Sequence, residues 1–191
     1  MPTNSTFTKE ETQLILSGKA SDTMRVLLIT NPADSILLRT KSQPVVFNAK
    51  DKMLKHFTDR LLTTVQDSAT MGIGIAAPQV GVLKDIIWVQ RLDKEAEPFE
   101  VYINPKILKY TDLKQDVPEG CLSIPDFRAM TKDRAYAIFL TYLNQEGKEE
   151  CEMVEAFTAA IFQHEIDHLN GILFLDHLEQ EQKQPGKHKV D

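Results

Sequence analysis

An α+β fold is what this sequence predicts, and three observations carry the prediction. Short segments of strand character gather between residues 85 and 154, two of them joined by Asn144-Gln145-Glu146-Gly147. One long helical pattern follows, over residues 157–169, and Asn170-Gly171 supplies the left-handed stop expected at its end. Strands and helices do not alternate, so a parallel wound sheet is not expected.

Taken in order, residues 1–24 are polar and weakly patterned. They read as an N-terminal extension, with a short helix near Glu10 to Leu16. Residues 31–46, "NPADSILLRTKSQPVV", read as turns and extended chain because Pro32 and Pro44 punctuate them. Met53, Leu54, Phe57, Leu61, Leu62 and Val65 then recur at helical spacing, which predicts a helix over 50–66. Either Asn48 or Asp51 can cap it. The stretch "MGIGIAAPQVG", residues 71–81, reads as a shaped loop. "DIIWVQ" is a short apolar strand, and "EVYINP" and "KILKY" are two more strand candidates. Alternation from Tyr136 to Tyr142 predicts another strand, and the "NQEG" turn returns the chain into a partner near Glu149 to Val154.

The bulk numbers narrow the function class. With 191 residues the chain can bury one substantial core. A net charge of −6 argues against a general nucleic-acid binder, so no direct nucleic-acid partner is expected. No apolar run reaches the roughly 18–20 residues of a membrane span, so no membrane partner is expected either. The start, "MPTNSTFTKEETQ", lacks the order of an export signal, and Glu10 and Glu11 with no Arg before Arg25 disfavour a transit peptide. The expected setting is therefore cytoplasmic, where Cys121 and Cys151 would be free thiols.

Chemistry concentrates in "FQHEIDHLNG", residues 162–171. On a helix, His164 and His168 project from one face and can grip one metal ion. Glu165, beside the first, can act as general acid/base. Two imidazoles leave a third ligand to find. Asp176, His177, Glu179 and Glu181 lie downstream, as a zinc endopeptidase would use them. Upstream, Cys121 in "PEGCLSIP" sits outside any clear helix or strand; a thiolate there would complete a three-ligand catalytic site with one position open. In "GIGIAAPQVG", Gly72 and Gly74 let the backbone approach a ligand closely, and Gln79 offers an amide to a developing oxyanion.

Together, "GIGIAAPQVG", "EGCLS" and "QHEIDHLNG", in this order and at these separations, resemble the peptide deformylase family. Weaker echoes accompany them: "ILLRTKSQPV", "INPKI" and "GILFLDHL". The resemblance spans Pro32 to Leu178 and implies an α+β fold with antiparallel sheets around a central motif-bearing helix. It divides the chain into an extension (1–24), one catalytic domain (25–178) and a tail (179–191). It implies hydrolysis of the N-formyl group from N-formylmethionine on newly made polypeptides, the expected partners. Cys121, His164 and His168 would be the metal ligands, with Fe(II) native and Zn, Ni or Co able to substitute. Glu165 would be the general acid/base, and Gln79 and the Leu122 N–H would hold the oxyanion. Gly74 would align the substrate backbone, Arg128 would contact substrate, and Ile73, Glu119, Phe157, Ala160, Ile161 and His164 would form the methionine pocket. Arg134 would pair with Asp167 and brace the motif helix. A bacterial source fits best, and a zinc endopeptidase is the alternative.

The chain departs from that family's pattern in places. Asp126 and Ala156 stand where glycine is common, and Lys132 and Asp133 lengthen the stretch before Arg134. Some relatives carry a basic C-terminal helix for ribosome docking. Here Pro185-Gly186 breaks the tail, and Glu179, Glu181 and Asp191 offset its lysines.

Overall fold

The computed structural model describes residues 6–69 and 71–183. In chain order its elements are α1 (Lys9–Ile15), α2 (Pro32–Leu38), α3 (Lys52–Val65), β1 (Gly74–Ala76), a 3-10 turn (Ala77–Val80), β2 (Ile86–Gln90), β3 (Phe99–Tyr110), β4 (Lys114–Cys121), β5 (Ile124–Ala135), β6 (Ala137–Leu143), β7 (Glu149–Glu155), α4 (Ala156–Leu169) and α5 (Phe174–Lys183). Five strands form one antiparallel sheet in the order β1-β2-β3-β6-β7, and β4 and β5 form a separate hairpin.

The sheet is covered on both faces, and β2 records this in its sequence. Ile86 and Trp88 join the core that also holds Phe57, Leu61 and Val65 of α3. Ile87 and Val89 point the other way, into the core with Phe162 and Ile166 of α4. A strand's side chains alternate between faces, so a strand buried on both becomes a continuous apolar run. The α4 helix is correspondingly buried on most sides, including the polar Thr158, Gln163, Glu165 and His168. Gln163 anchors it: its amide accepts from Ala135 N at 2.9 Å and donates to Ala135 O at 2.9 Å, as a neighbouring strand would.

Several expectations are corrected. Residues 32–38 are helical, not extended. Asn31 caps the helix, accepting from Ala33 N and Asp34 N, and Pro32 occupies its first turn, where the missing N–H costs nothing. The glycine-rich stretch is not all loop, since Gly74–Ala76 pairs with β2. The two candidates around Asn104 are one strand, β3, with Asn104 at φ +53 and its amide bonded to the Val45 backbone. Cys121 ends a strand, and the β4–β5 hairpin around it was not foreseen. A further helix, α5, follows the motif helix and runs through the expected boundary at 178. Phe7, Ile15 and Met24 of the expected extension lie in the α3 core. Asp51 is the cap of α3. The Pro185-Gly186 break and the last lysines lie outside the described residues.

Among the described residues no helix is long and apolar enough to cross a membrane.

Candidate active site

Helical periodicity sets half of the site. His164 and His168, one turn apart on α4, present rings with centroids 5.0 Å apart. The β4–β5 hairpin brings in Cys121, whose Sγ lies 3.2 Å from His168 Nε2. One donor atom from each of the three residues lies within 4.8 Å of the other two. A thiolate and two imidazoles at this separation suit a divalent transition metal. Burial raises the Cys121 thiol pKa, but the neighbouring His168 and His164 outweigh it and hold the group well below its ordinary value.

Behind the ligands stands a chain of ionic contacts. His164 Nδ1 lies 2.7 Å from Glu119 Oε2. The carboxylate requires a proton on Nδ1, which leaves the Nε2 lone pair for an ion. Arg134 holds Glu119 through Nε at 2.7 Å and Nη2 at 2.8 Å, and reaches Asp167 through Nη1 at 2.6 Å. Asp167 meets His177 Nε2 of α5 at 2.8 Å. The expected Arg134–Asp167 pair is thus present, and the Arg134–Glu119 pair was missed. Glu119 borders the cleft as expected, yet its carboxylate is committed to His164, Arg134 and Thr131. Burial alone would raise its pKa, but His164 and Arg134 hold it well below the carboxylate range. Glu119 and His164 are 45 residues apart, and no local pattern in the sequence signals their contact.

Glu165 points into the same space. Its Oε2 is buried and has no protein partner, and burial pushes its carboxyl up to about 7 against the opposing pull of His164 and His168. Opposite it, Gln79 sits on the 3-10 turn. Its Oε1 accepts from Ala76 N at 2.8 Å, which turns the NH₂ toward Ser123 Oγ at 3.3 Å and Cys121 Sγ at 3.5 Å. Gly74 leaves room for the Glu165 carboxylate, because a Cβ on it would stand 2.5 Å from Glu165 Oε1 and displace the side chain. Leu122 follows Cys121 in the turn between β4 and β5.

These groups open onto a cleft of about 950 Å³. Its lining includes Ile73 and Gly74, Phe157, Ala160 and Ile161 of α4, and Arg128 of β5. The downstream ligand candidates are occupied elsewhere: Asp176 pairs with Arg39, His177 with Asp167, Glu179 with Lys183, and Glu181 accepts from Lys132 N. Nothing here favours the zinc endopeptidase.

The sequence profile of the polypeptide deformylase family matches residues 25–184. The chain belongs to that family. A peptide deformylase of Rhizobium meliloti is 41% identical over 144 residues, covering 74% of this chain and 79% of the relative. One from Desulforudis audaxviator is 40% identical over 153 residues, covering 80% and 94%. Among solved structures, the Met-Ala-Ser-bound class I type b peptide deformylase of Acinetobacter baumannii superposes with a TM-score of 0.72 at 32% identity, over 82% of this chain and 99% of that one. A probable peptide deformylase of Synechococcus phage S-SSM7 gives 0.71 at 35% identity, over 81% and 99%. Peptide deformylases are metal-dependent hydrolases that remove the N-formyl group from the methionine that starts new polypeptides. This chain is one of these enzymes, with the α+β fold of the family.

Proposed function

We propose that Cys121, His164 and His168 hold the metal ion, that Glu165 moves the proton, and that Gln79 and the Leu122 N–H stabilise the oxyanion of formyl hydrolysis. The carrying observation is the convergence of three donors within 4.8 Å of one another beside a buried, unpartnered Glu165 oxygen. When bound, the ion supplies Lewis acidity that activates water and polarises the formyl carbonyl. Fe(II) is the proposed native ion, with Zn, Ni or Co able to replace it, since one thiolate and two imidazoles accept all four.

Glu165, raised to about 7, is poised to take a proton from water and return it to the leaving amine. Attack on the formyl carbon moves charge onto the formyl oxygen. Gln79 Nε2 and the Leu122 N–H are the groups to meet it, and the Ala76 N–H keeps the Gln79 amide facing that point. Collapse breaks the C–N bond, releasing formate and the free amine.

β1 is an edge strand of its sheet and Gly74 lines the cleft, so the peptide backbone can add alongside it. Main-chain pairing of that kind tolerates varied sequence after the methionine. The methionine side chain would fill the apolar space at Ile73, Phe157, Ala160 and Ile161, with Glu119 behind it orienting His164, and Arg128 would contact the chain. Substrates are nascent formylmethionyl peptides, and the proposed setting is the bacterial cytoplasm. Ribosome docking through a basic C-terminal helix is not part of this reading.

Formate release from formyl-Met-Ala-Ser by nickel-loaded protein tests the assignment. Glu165→Ala should lower kcat by at least about 10²–10⁴-fold with metal content retained. An acetylated peptide should remain intact. Glu165→Ala protein that still released formate at the wild-type rate would remove Glu165 from the role.

A further inference from the structure

Strand β5 carries an irregularity beside the ligands. Gly120 pairs with Arg128, but the next β4 residue, Cys121, pairs with Ile124. Pro125, Asp126 and Phe127 therefore face no partner on β4 and bulge outward. All three are exposed and line the cleft. Bulges next to active sites re-aim a side chain, and this one is held at both ends. Proline fixes its own φ on one side. On the other, Phe127 stacks on the buried Phe174 with centroids 6.0 Å apart. Asp126 lies between them at φ +60, a conformation that L-residues with a Cβ seldom adopt.

The surroundings leave that carboxylate available. Among the described residues no hydrogen bond or ion pair engages the Asp126 side chain. Ala69, Met71, Gly72, Ile73 and Gly74, which also line the cleft, carry no charge. Of the other cleft acids, Glu119 is bound to Arg134 and His164, and Glu165 sits at the ligands. The neighbouring cation, Arg128, is laid across the hairpin, for a Cβ on Gly120 would stand 3.1 Å from its Cγ.

We propose that Asp126 gives this enzyme a charge preference for the residues after the methionine, favouring nascent chains with Lys or Arg there over those with Asp or Glu. The inference rests on the deformylase reading of the cleft. A fixed, solvent-facing charge acting on an opposite charge is worth a few-fold in rate and is weakened by salt.

The test compares kcat/KM on formyl-Met-Lys-Ser, formyl-Met-Glu-Ser, formyl-Met-Ala-Lys and formyl-Met-Ala-Glu, with formyl-Met-Ala-Ser as the neutral reference. A ratio within each Lys/Glu pair cancels the fraction of active enzyme. The expected Lys-to-Glu ratio at low salt is about 3 or more at one of the two positions. It should approach one in Asp126→Asn, whose asparagine tolerates the left-handed backbone, and in wild type at about 0.5 M salt. Wild type that hydrolyses the neutral peptide with a ratio near one at both positions would overturn the inference and leave the deformylase reading intact. A ratio unchanged in Asp126→Asn would overturn it equally. Failure on all five peptides would sink both.

Discussion

Single residues divide into those whose partners lie within one turn and those whose partners lie far along the chain. His164, Glu165 and His168 were legible because helical spacing alone puts two imidazoles on one face. Cys121 reaches His168 across 47 positions and Gln79 across 42, so only the co-occurrence of three motifs pointed to their meeting. The contacts of Glu119 with His164 and of Ser123 with Gln79 have no such signature, since they depend on how the hairpin lies against α4 and the 3-10 turn. Ala156 is readable in the opposite sense, as a residue that fits its position poorly. It enters α4 at φ +54, after an N-cap, Glu155, that makes no side-chain cap bond. A left-handed alanine costs roughly 1–2 kcal/mol, part of which glycine would return through its looser unfolded chain. Ala156→Gly should therefore stabilise the protein by about 0.5–1 kcal/mol, seen as a melting temperature higher by roughly 1–4 °C. A lower melting temperature would mean that the Ala156 methyl group contributes packing that outweighs the strain.

Among the elements, α3 and β6 announced themselves through periodicity, β2 through its apolar run, β7 through the Asn144–Gly147 turn and α4 through its helical pattern and Asn170-Gly171 stop, whereas α2, α5 and the β4–β5 hairpin were not anticipated. The α2 start was written in Asn31-Pro32, but a proline can begin a helix as well as break one. The hairpin is mostly polar because much of β5 faces solvent, so it lacks an apolar rhythm. The short stretch ahead of α2 matters more than its length suggests. Leu27 N donates to Gln79 O at 2.7 Å and Ile29 N donates to Ser123 O at 3.0 Å, joining the turn that carries Gln79 to the turn after Cys121. Asp34 secures this strap, accepting from Leu28 N at 3.0 Å and from both Arg25 terminal nitrogens at 2.7 and 2.8 Å. The Arg25 contact, and then Leu28 N–H, hold the Asp34 carboxyl down to about 2. A depressed carboxyl stabilises the fold above its unfolded pKa, near 4, and the contribution is lost as pH falls through the folded value. Asp34→Asn should thus unfold at lower urea than wild type at pH 7, and the gap should close between about pH 4 and pH 2. A gap independent of pH over that window would show that the ionised carboxylate is not what secures the strap.

At the scale of the whole molecule, the metal ligands come from two bodies. His164 and His168 belong to α4, wedged against the five-stranded sheet, while Cys121 belongs to the separate β4–β5 hairpin. Among the described residues, hydrogen bonds between Gln163 and Ala135, Arg134 and Asp167, Glu119 and His164, and Gln115 and the Ala156 carbonyl join them, and Ala135 packs into the α4 core. An ion held by Cys121 and both histidines adds a link that the unfolded chain cannot offer in the same geometry, so binding becomes folding free energy. At free metal a hundredfold above Kd the linkage is about 2.7 kcal/mol, which for a chain of this size raises the melting temperature by roughly 5–10 °C. Nickel added to chelator-stripped protein should produce that rise, measured by thermal melting in the absence of substrate. Cys121→Ser should lose most of it, because a neutral hydroxyl replaces the thiolate. A Cys121→Ser protein that gained as much from nickel as wild type would mean that the hairpin is not bound to α4 through the ion, and that the two histidines find their third ligand elsewhere.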